Sequence, residues 1–273
     1  VMCCAICRIN TKPENHVMWE AKKLPLAPTV YLAGAQTQHA LELTVNQPVL
    51  ETFAEIRPIA DAYRPLWSHR MIDSGAYSAH MRGAEIDIGE YREFIEERGR
   101  LYNAIANLDV ISDWRASMEN WAKLKHLNAF PVFHEGEPWE LLEEMTLEQS
   151  KSPPSTQAGW VGIGCQRPMV RGRIIMFLEE CRSHIVGNVK VHGFGLTGYT
   201  SVLDFDSVDS TTWLLGLQML MSINELRHLT RGELIEIQLA RMQRSSFRDE
   251  WDLNWRETTR NKNADQLRFD LGD

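Results

Sequence analysis

Three aspartates in this chain follow short apolar runs, each where a buried strand would end. Met71-Ile72-Asp73-Ser74-Gly75-Ala76-Tyr77 passes from an apolar pair to a carboxylate, a hydroxyl and a glycine. Asn107-Leu108-Asp109-Val110 and Val208-Asp209-Ser210 have the same character in shorter form. Two further runs end in polar groups, Val132-Phe133-His134-Glu135-Gly136 and Val191-His192-Gly193-Phe194, and Gly162-Ile163-Gly164-Cys165 offers bare backbone at another strand end. Each alone fits a plain role, because a strand-end Asp or Ser caps the next turn and a single His is commonly a satisfied, half-buried side chain. Several carboxylates aimed at one cavity differ, because crowded like charges cost energy unless they are used.

Two carboxylates suit a glycosidic bond. One attacks the anomeric carbon and forms a covalent sugar–enzyme intermediate, while the other handles the proton of the leaving group and of the acceptor. Asp73, Asp109, Glu135 and Asp209 are the strand-end carboxylates from which such a pair could come. His134 and His192 lack the close His/Asp spacing of metal hydrolases. Cys3, Cys4 and Cys7 would need a fourth ligand such as His16 to hold a metal, and Asn10 stands where a radical enzyme's Cys-x3-Cys-x2-Cys run has its last cysteine. A packed terminus is the simpler reading, so no metal or cofactor is expected. No Gly-x-Gly-x-x-Gly opens a helix after the first strand, and no phosphate loop ending in Gly-Lys-Ser/Thr occurs, so a nucleotide cofactor has no support.

The elements that must position these groups alternate regularly. Strands are expected at 29–35, 70–76, 104–110, 129–136, 159–165, 189–195 and 207–211. A helix starts after Asp87, an N-cap with Glu90 three residues on. Others cover 114–127, where Trp114, Met118, Trp121 and Leu124 recur at helical spacing, then 137–149 and 173–184. Residues 40–68, broken by Pro48, Pro58 and Pro65, read as a long connection with one helix. An eighth strand is open, since 233–239 alternates but also fits a helix. This rhythm predicts a parallel α/β protein, and seven or eight units favour a (β/α)8 TIM-type barrel with an irregular last unit. The barrel would span 1–240, with a basic and aromatic C-terminal extension, 241–273, packed on it. In a barrel the strand ends share one mouth.

Composition sets outer bounds. The 273 residues are 44% hydrophobic and 24% charged, which is ordinary for a globular protein. No apolar run reaches the roughly 18 residues of a membrane helix, and no basic segment precedes a long apolar one at the start, so a cytoplasmic protein without a membrane partner is expected. Five cysteines in a chain of this size argue against a disulfide framework. The net charge of −8 counts mildly against a nucleic-acid partner, although local patches matter more than totals. Arg167, Arg171, Arg173, Arg182 and Lys190 form one such patch. The tail interleaves Arg241, Arg244, Arg248, Arg256, Arg260, Lys262 and Arg268 with Trp251, Trp255 and Phe269. It carries as many acids, so a solvated helical surface fits as well as a nucleic-acid contact.

In combination these residues resemble a known family. Asp73-Ser74-Gly75-Ala76-Tyr77 is similar to the Asp-Ser-Gly-Gly-Phe motif of the tRNA-guanine transglycosylases. Asp109 resembles their base-recognition aspartate, and His134-Glu135-Gly136 stands where they have Gln-Gly-Gly. Gly162-Ile163-Gly164 is similar to their base-binding Gly-Gly-Leu segment. His192-Gly193-Phe194-Gly195 resembles the strand end before their nucleophile, and Val208-Asp209-Ser210 the Phe-Asp-Cys or Phe-Asp-Ser that carries it. The match keeps its order over about residues 29–213 and is most like the short phage and bacterial branch that modifies DNA.

The resemblance implies exchange of guanine for a 7-deazaguanine base such as preQ0. It makes Asp209 the nucleophile on C1′ and Asp73 the general acid/base. Asp109 would bind the exocyclic amine and ring N–H of the base. Ser74, Gly75, His134, Glu135, the Gly162, Ile163 and Gly164 segment, and His192 would surround the base, with Tyr77 or Phe194 stacking on it. Arg167, Arg171 and Arg173 would meet the nucleic acid. The partners implied are DNA, or tRNA as the alternative, and the incoming base, with a homodimer or helper proteins compatible. Two departures stand out. The family's Cys-x-Cys-x2-Cys plus His zinc site is absent, since no cysteine follows Cys181, and Gln-Gly-Gly has become His-Glu-Gly. Rival readings are a barrel glycoside hydrolase using Asp73 and Asp209, and an inactive relic that binds nucleic acid.

Overall fold

Proline and strand alternation decide the architecture. The computed structural model describes residues 28–152, 159–165 and 169–214, with scattered positions from 220 to 238. Its strands are β1 (Thr29–Ala33), β2 (Pro48–Thr52), β3 (His69–Asp73), β4 (Ala104–Ala106), β5 (Ala129–Phe130), β6 (Val132–His134), β7 (Trp160–Gly164), β8 (Lys190–Gly193) and β9 (Ser207–Ser210). They form one sheet in the order β5-β4-β3-β2-β1-β9-β8-β7-β6, and every pairing is parallel. The two ends of that order, β5 and β6, are separated by Pro131 alone. Proline has no N–H to give the ladder, but the Pro131 carbonyl accepts from the Gly162 amide at 2.9 Å. β5 and β6 are therefore one strand interrupted at a proline, and the sheet closes into a TIM-type barrel.

Alternate residues face opposite sides of the wall. Tyr31, Ala33, Leu50, Met71, Ala104, Ala106, Phe130, Val132 and Trp160 cluster together, with Phe194 against them, and fill the barrel. Their neighbours Leu32, Phe133, Val161, Ile163, Val191 and Val208 belong to a separate cluster, beneath α5 (Trp139–Ser150) and α6 (Arg171–His184). Ile72 and Ile105 pack likewise under α3 (Ile88–Arg98) and α4 (Trp114–Leu124). Two short helices, α1 (Gln38–Glu42) and α2 (Ala76–Met81), complete the set. Side-chain caps start α3 and α4, where Asp87 accepts from the Glu90 amide and Asp113 from the Ala116 amide.

Residues 40–68 differ from the sequence expectation. They contain β2, and with it the barrel has its eight physical strands. β2 escapes notice because it starts at a proline and shows only Val49-Leu50 as an apolar pair, while Glu51 faces outward to receive Arg64 through two hydrogen bonds, at 2.8 and 2.7 Å. No strand is needed from 233–239, where Glu233, Leu234, Ile237 and Gln238 are helical. The N-terminal cysteines, His16 and the 241–273 extension lie outside the described residues. Among the described residues no helix is long and apolar enough to cross a membrane.

Small inward residues (Ala33, Ala106, Gly162, Gly164) leave room at the carboxyl end of the barrel. A Cβ on Gly162 would lie 2.8 Å from Phe194 and 2.9 Å from Val132. Gly162→Ala is therefore expected to cost about 1–3 kcal/mol through overpacking and to displace Phe194. A thermal melt followed by circular dichroism checks the cost, and an unchanged melting temperature contradicts it.

Candidate active site

β3 delivers Asp73 to the mouth, and the turn behind it fixes the carboxylate. Asp73 Oδ2 accepts from the Gly75 amide at 3.0 Å. Gly75 has φ 83°, and a Cβ there would lie 2.5 Å from Thr52 Cγ2. Only glycine fits, so Gly75 serves the turn rather than a ligand. The turn launches α2, which holds Tyr77 over a cavity of about 210 Å³. Asp73, Ser74, Tyr77, Asp109, His134, Gly164 and Phe194 all line that cavity. Ser74 is 1% exposed, and its Oγ accepts from the Ala76 amide at 3.4 Å. Asp73 and Ser74 thus both hold the turn and line the cavity, while the N-cap of α2 is Gly75.

Asp109 follows β4 and is held from below. Asn107 Nδ2 donates to Asp109 Oδ1 at 3.2 Å and to the Ser117 carbonyl at 2.9 Å. His134, at the end of β6, sits between two carboxylates. Glu137 Oε2 accepts from the His134 amide at 3.0 Å, and its Oε1 lies 3.3 Å from Nδ1. On the other side, Nε2 is 3.6 Å from Asp109 Oδ2. Neither Asn107 nor Glu137 stood out in the sequence. Asn107 left one signal, a polar residue two before the aspartate at a strand end. Glu137 looked like one more acid at the start of an acidic helix.

Several candidates sit elsewhere. Glu135 pairs with Arg173 on α6 at 2.6 Å, so its carboxylate turns to the rim and occupies an arginine assigned to nucleic acid. Arg171 opens α6, and Arg167 lies outside the described residues. Ile163 packs into the outer cluster, and Gly162 is covered by Phe194 and Val132. Of that segment only Gly164 reaches the cavity. His192 is 0% exposed and lies behind the site. Its Nδ1 is 2.8 Å from Ser207 Oγ, its ring meets Phe194 edge-on at 4.5 Å, and its Nε2 is 3.4 Å from Asp209 Oδ1. Asp209, near the end of β9, accepts from the Gly195 amide at 2.8 Å. It is not among the residues that line the cavity, but its charge acts on Asp73.

Burial and like charge separate these carboxyls. Burial pushes Asp73 up to about 7, with Asp109 and then Asp209 adding to the shift against the Gly75 amide. Burial also pushes Asp109 up to about 6, where His134 and Asn107 oppose the rise and Glu137 adds to it. His134 is raised although burial works against it, because the Glu137 hydrogen bond and the Asp109 charge outweigh desolvation. Asp73 thus exchanges a proton near neutrality, as a general acid/base must. Cys165 also lines the cavity, but burial and then Glu135 push its thiol up to about 11, which makes it a poor nucleophile at neutral pH. Among the described residues no three His, Cys, Asp or Glu side chains are grouped to hold a metal ion.

No family model matches the chain, and no curated protein matches it. Among solved structures, a tryptophan synthase alpha-subunit from Pyrococcus furiosus aligns with a TM-score of 0.46 at 13% identity, covering 79% of this chain and 96% of that one. The carboxyl transferase domain of Rhizobium etli pyruvate carboxylase aligns with a TM-score of 0.41 at 10% identity, covering 82% of this chain and 49% of that one.

The Asp73 shift has a stability consequence. Its folded value, about 7, exceeds the ordinary 3.8, so the folded protein keeps a proton that the unfolded chain loses. Stability therefore falls as pH rises from about 4 through about 7. Asp73→Asn is expected to stabilise by on the order of 4 kcal/mol at pH 8 and by nothing near pH 4. Chemical denaturation at the two pH values checks this, and an equal effect at both contradicts it.

Proposed function

We propose that this protein is a guanine transglycosylase that replaces guanine in DNA with a 7-deazaguanine base through an ester on Asp209. The observation that carries the reading is the pair of aspartates in unlike settings at one barrel mouth. Asp73 holds a proton near neutrality, whereas Asp209 accepts the Gly195 amide beside His192. An Asp209 carboxylate oxygen attacks C1′ as the C1′–N bond to guanine breaks, and the Asp73 carboxyl gives its proton to the departing base. The incoming base then yields its ring N–H proton to Asp73, its nitrogen takes C1′, and Asp209 leaves as carboxylate.

The cavity chemistry supports a base rather than a sugar as its occupant. Asp109 accepts hydrogen bonds and so favours a ligand rich in N–H donors. Tyr77 and Phe194 offer aromatic faces on which a planar base stacks. In a duplex the target nucleotide must leave the stack to reach this depth.

Nucleoside mass spectrometry of cells that express the protein and make a 7-deazaguanine tests the reading. The modified nucleoside is expected in DNA, and Asp209→Ala should reduce it at least about a thousandfold. Modification confined to tRNA overturns the DNA assignment, and release of guanine without incorporation points to a hydrolase. Full activity of Asp209→Ala overturns the nucleophile.

A further inference from the structure

His134 has a carboxylate at each ring nitrogen. Glu137 Oε1 lies 3.3 Å from Nδ1, and Asp109 Oδ2 lies 3.6 Å from Nε2. A carboxylate only accepts, so Nδ1 carries a proton. A bare Nε2 would turn its lone pair towards Asp109, so a proton there is favoured as well. At 3.6 Å the Nε2–H is beyond hydrogen-bond reach of Asp109 and remains available to a third group. Glu137 is itself well buried, with 9% of its side chain exposed, and its other oxygen is fixed by the His134 amide at 3.0 Å. Glu137 therefore cannot swing away from the ring without breaking a second bond. Gly164 keeps the ring edge open, because a Cβ there would come within 3.2 Å of His134 Cδ2. Among the described residues the other charged group acting on the ring is Asp73.

We propose that Glu137 is a positioning residue that presents His134 Nε2–H beside the Asp109 carboxylate, so that the two read a planar edge carrying a carbonyl next to N–H donors. The inference rests on the base-exchange reading and narrows it. His134 donates to the 6-oxo group, Asp109 accepts from the ring N–H and the 2-amino group, and a 6-amino base meets donor against donor. Glu137 touches no ligand and acts through the imidazole. The elevated His134 affinity for protons agrees with this arrangement.

The test uses the full chain and three free bases: 7-deazaguanine, 2-amino-7-deazapurine, which lacks the carbonyl and with it the adjacent ring N–H, and 7-deazahypoxanthine, which lacks only the 2-amino group. Calorimetry of the unsubstituted protein is expected to favour 7-deazaguanine over 2-amino-7-deazapurine by about tenfold or more, since a buried donor is otherwise left unpaired. In His134→Phe and Glu137→Gln that preference should fall at least about threefold, while the preference for 7-deazaguanine over 7-deazahypoxanthine, set by Asp109, persists. Nitrogen-15 NMR of the histidine rings should show His134 doubly protonated at pH 7, and no longer so in Glu137→Gln, a signature that a merely structural role for Glu137 would not move. A carbonyl preference unchanged in both variants, or a His134 ring neutral at pH 7 in the unsubstituted protein, overturns the inference and leaves base exchange standing. Failure of the unsubstituted protein to bind any of the three bases overturns both.

Discussion

Crowding of carboxylates in a buried mouth is the constraint on which the rest of this structure depends. Asp73, Asp109 and Glu137 act on the His134 imidazole, Asp209 lies against His192, and burial raises Asp73 and Asp109 above the ordinary carboxylate range. The protein resolves the conflict by giving each a different partner. Asp73 takes one backbone amide and keeps a proton to about neutrality. Asp109 takes an amide side chain and faces the imidazole. Asp209 takes the Gly195 amide, and Glu137 accepts the His134 amide and faces its Nδ1. Such a separation of roles among like groups is what acid/base and nucleophilic chemistry needs at a single pH.

The barrel makes this crowding feasible. Closure at Pro131 brings strand ends far apart in sequence to one rim, and small inward residues leave them space to converge. The outer face bears the packing cost, with Ile72, Ile105, Ile163 and Val208 all essentially unexposed beneath the helices. Turns then do local work. Gly75 adopts a left-handed conformation so that Asp73 can fold back on its own backbone, and the same turn sends Tyr77 over the cavity.

Much of the fold was legible because strands buried on both faces read as apolar runs ending in polar residues. β3, β4, β6, β7, β8 and β9 all announce themselves in that way, and Asp87-x-x-Glu90 marks a helix start. β2 did not, because an outward Glu51 paired with Arg64 breaks its apolar character and a proline opens it. The cavity lining was legible where polar residues follow a strand, as at Asp73, Asp109 and His134. It was not where geometry alone decides. Sequence cannot show that Glu135 swings out to Arg173 while Glu137, two residues on, turns back to His134. Nor does an alternation pattern reveal that Ile163 faces the helices while Gly164 faces the cavity, unless the register is known.

Trapping the covalent intermediate tests the central claim most directly. The protein is incubated with guanine-containing duplex DNA and no competing base, denatured, and digested to peptides for mass spectrometry. A deoxyribose-linked adduct on Asp209 is expected, lost when a 7-deazaguanine is added to complete the exchange. Exchange that proceeds with no adduct, or an adduct on any other residue, contradicts it.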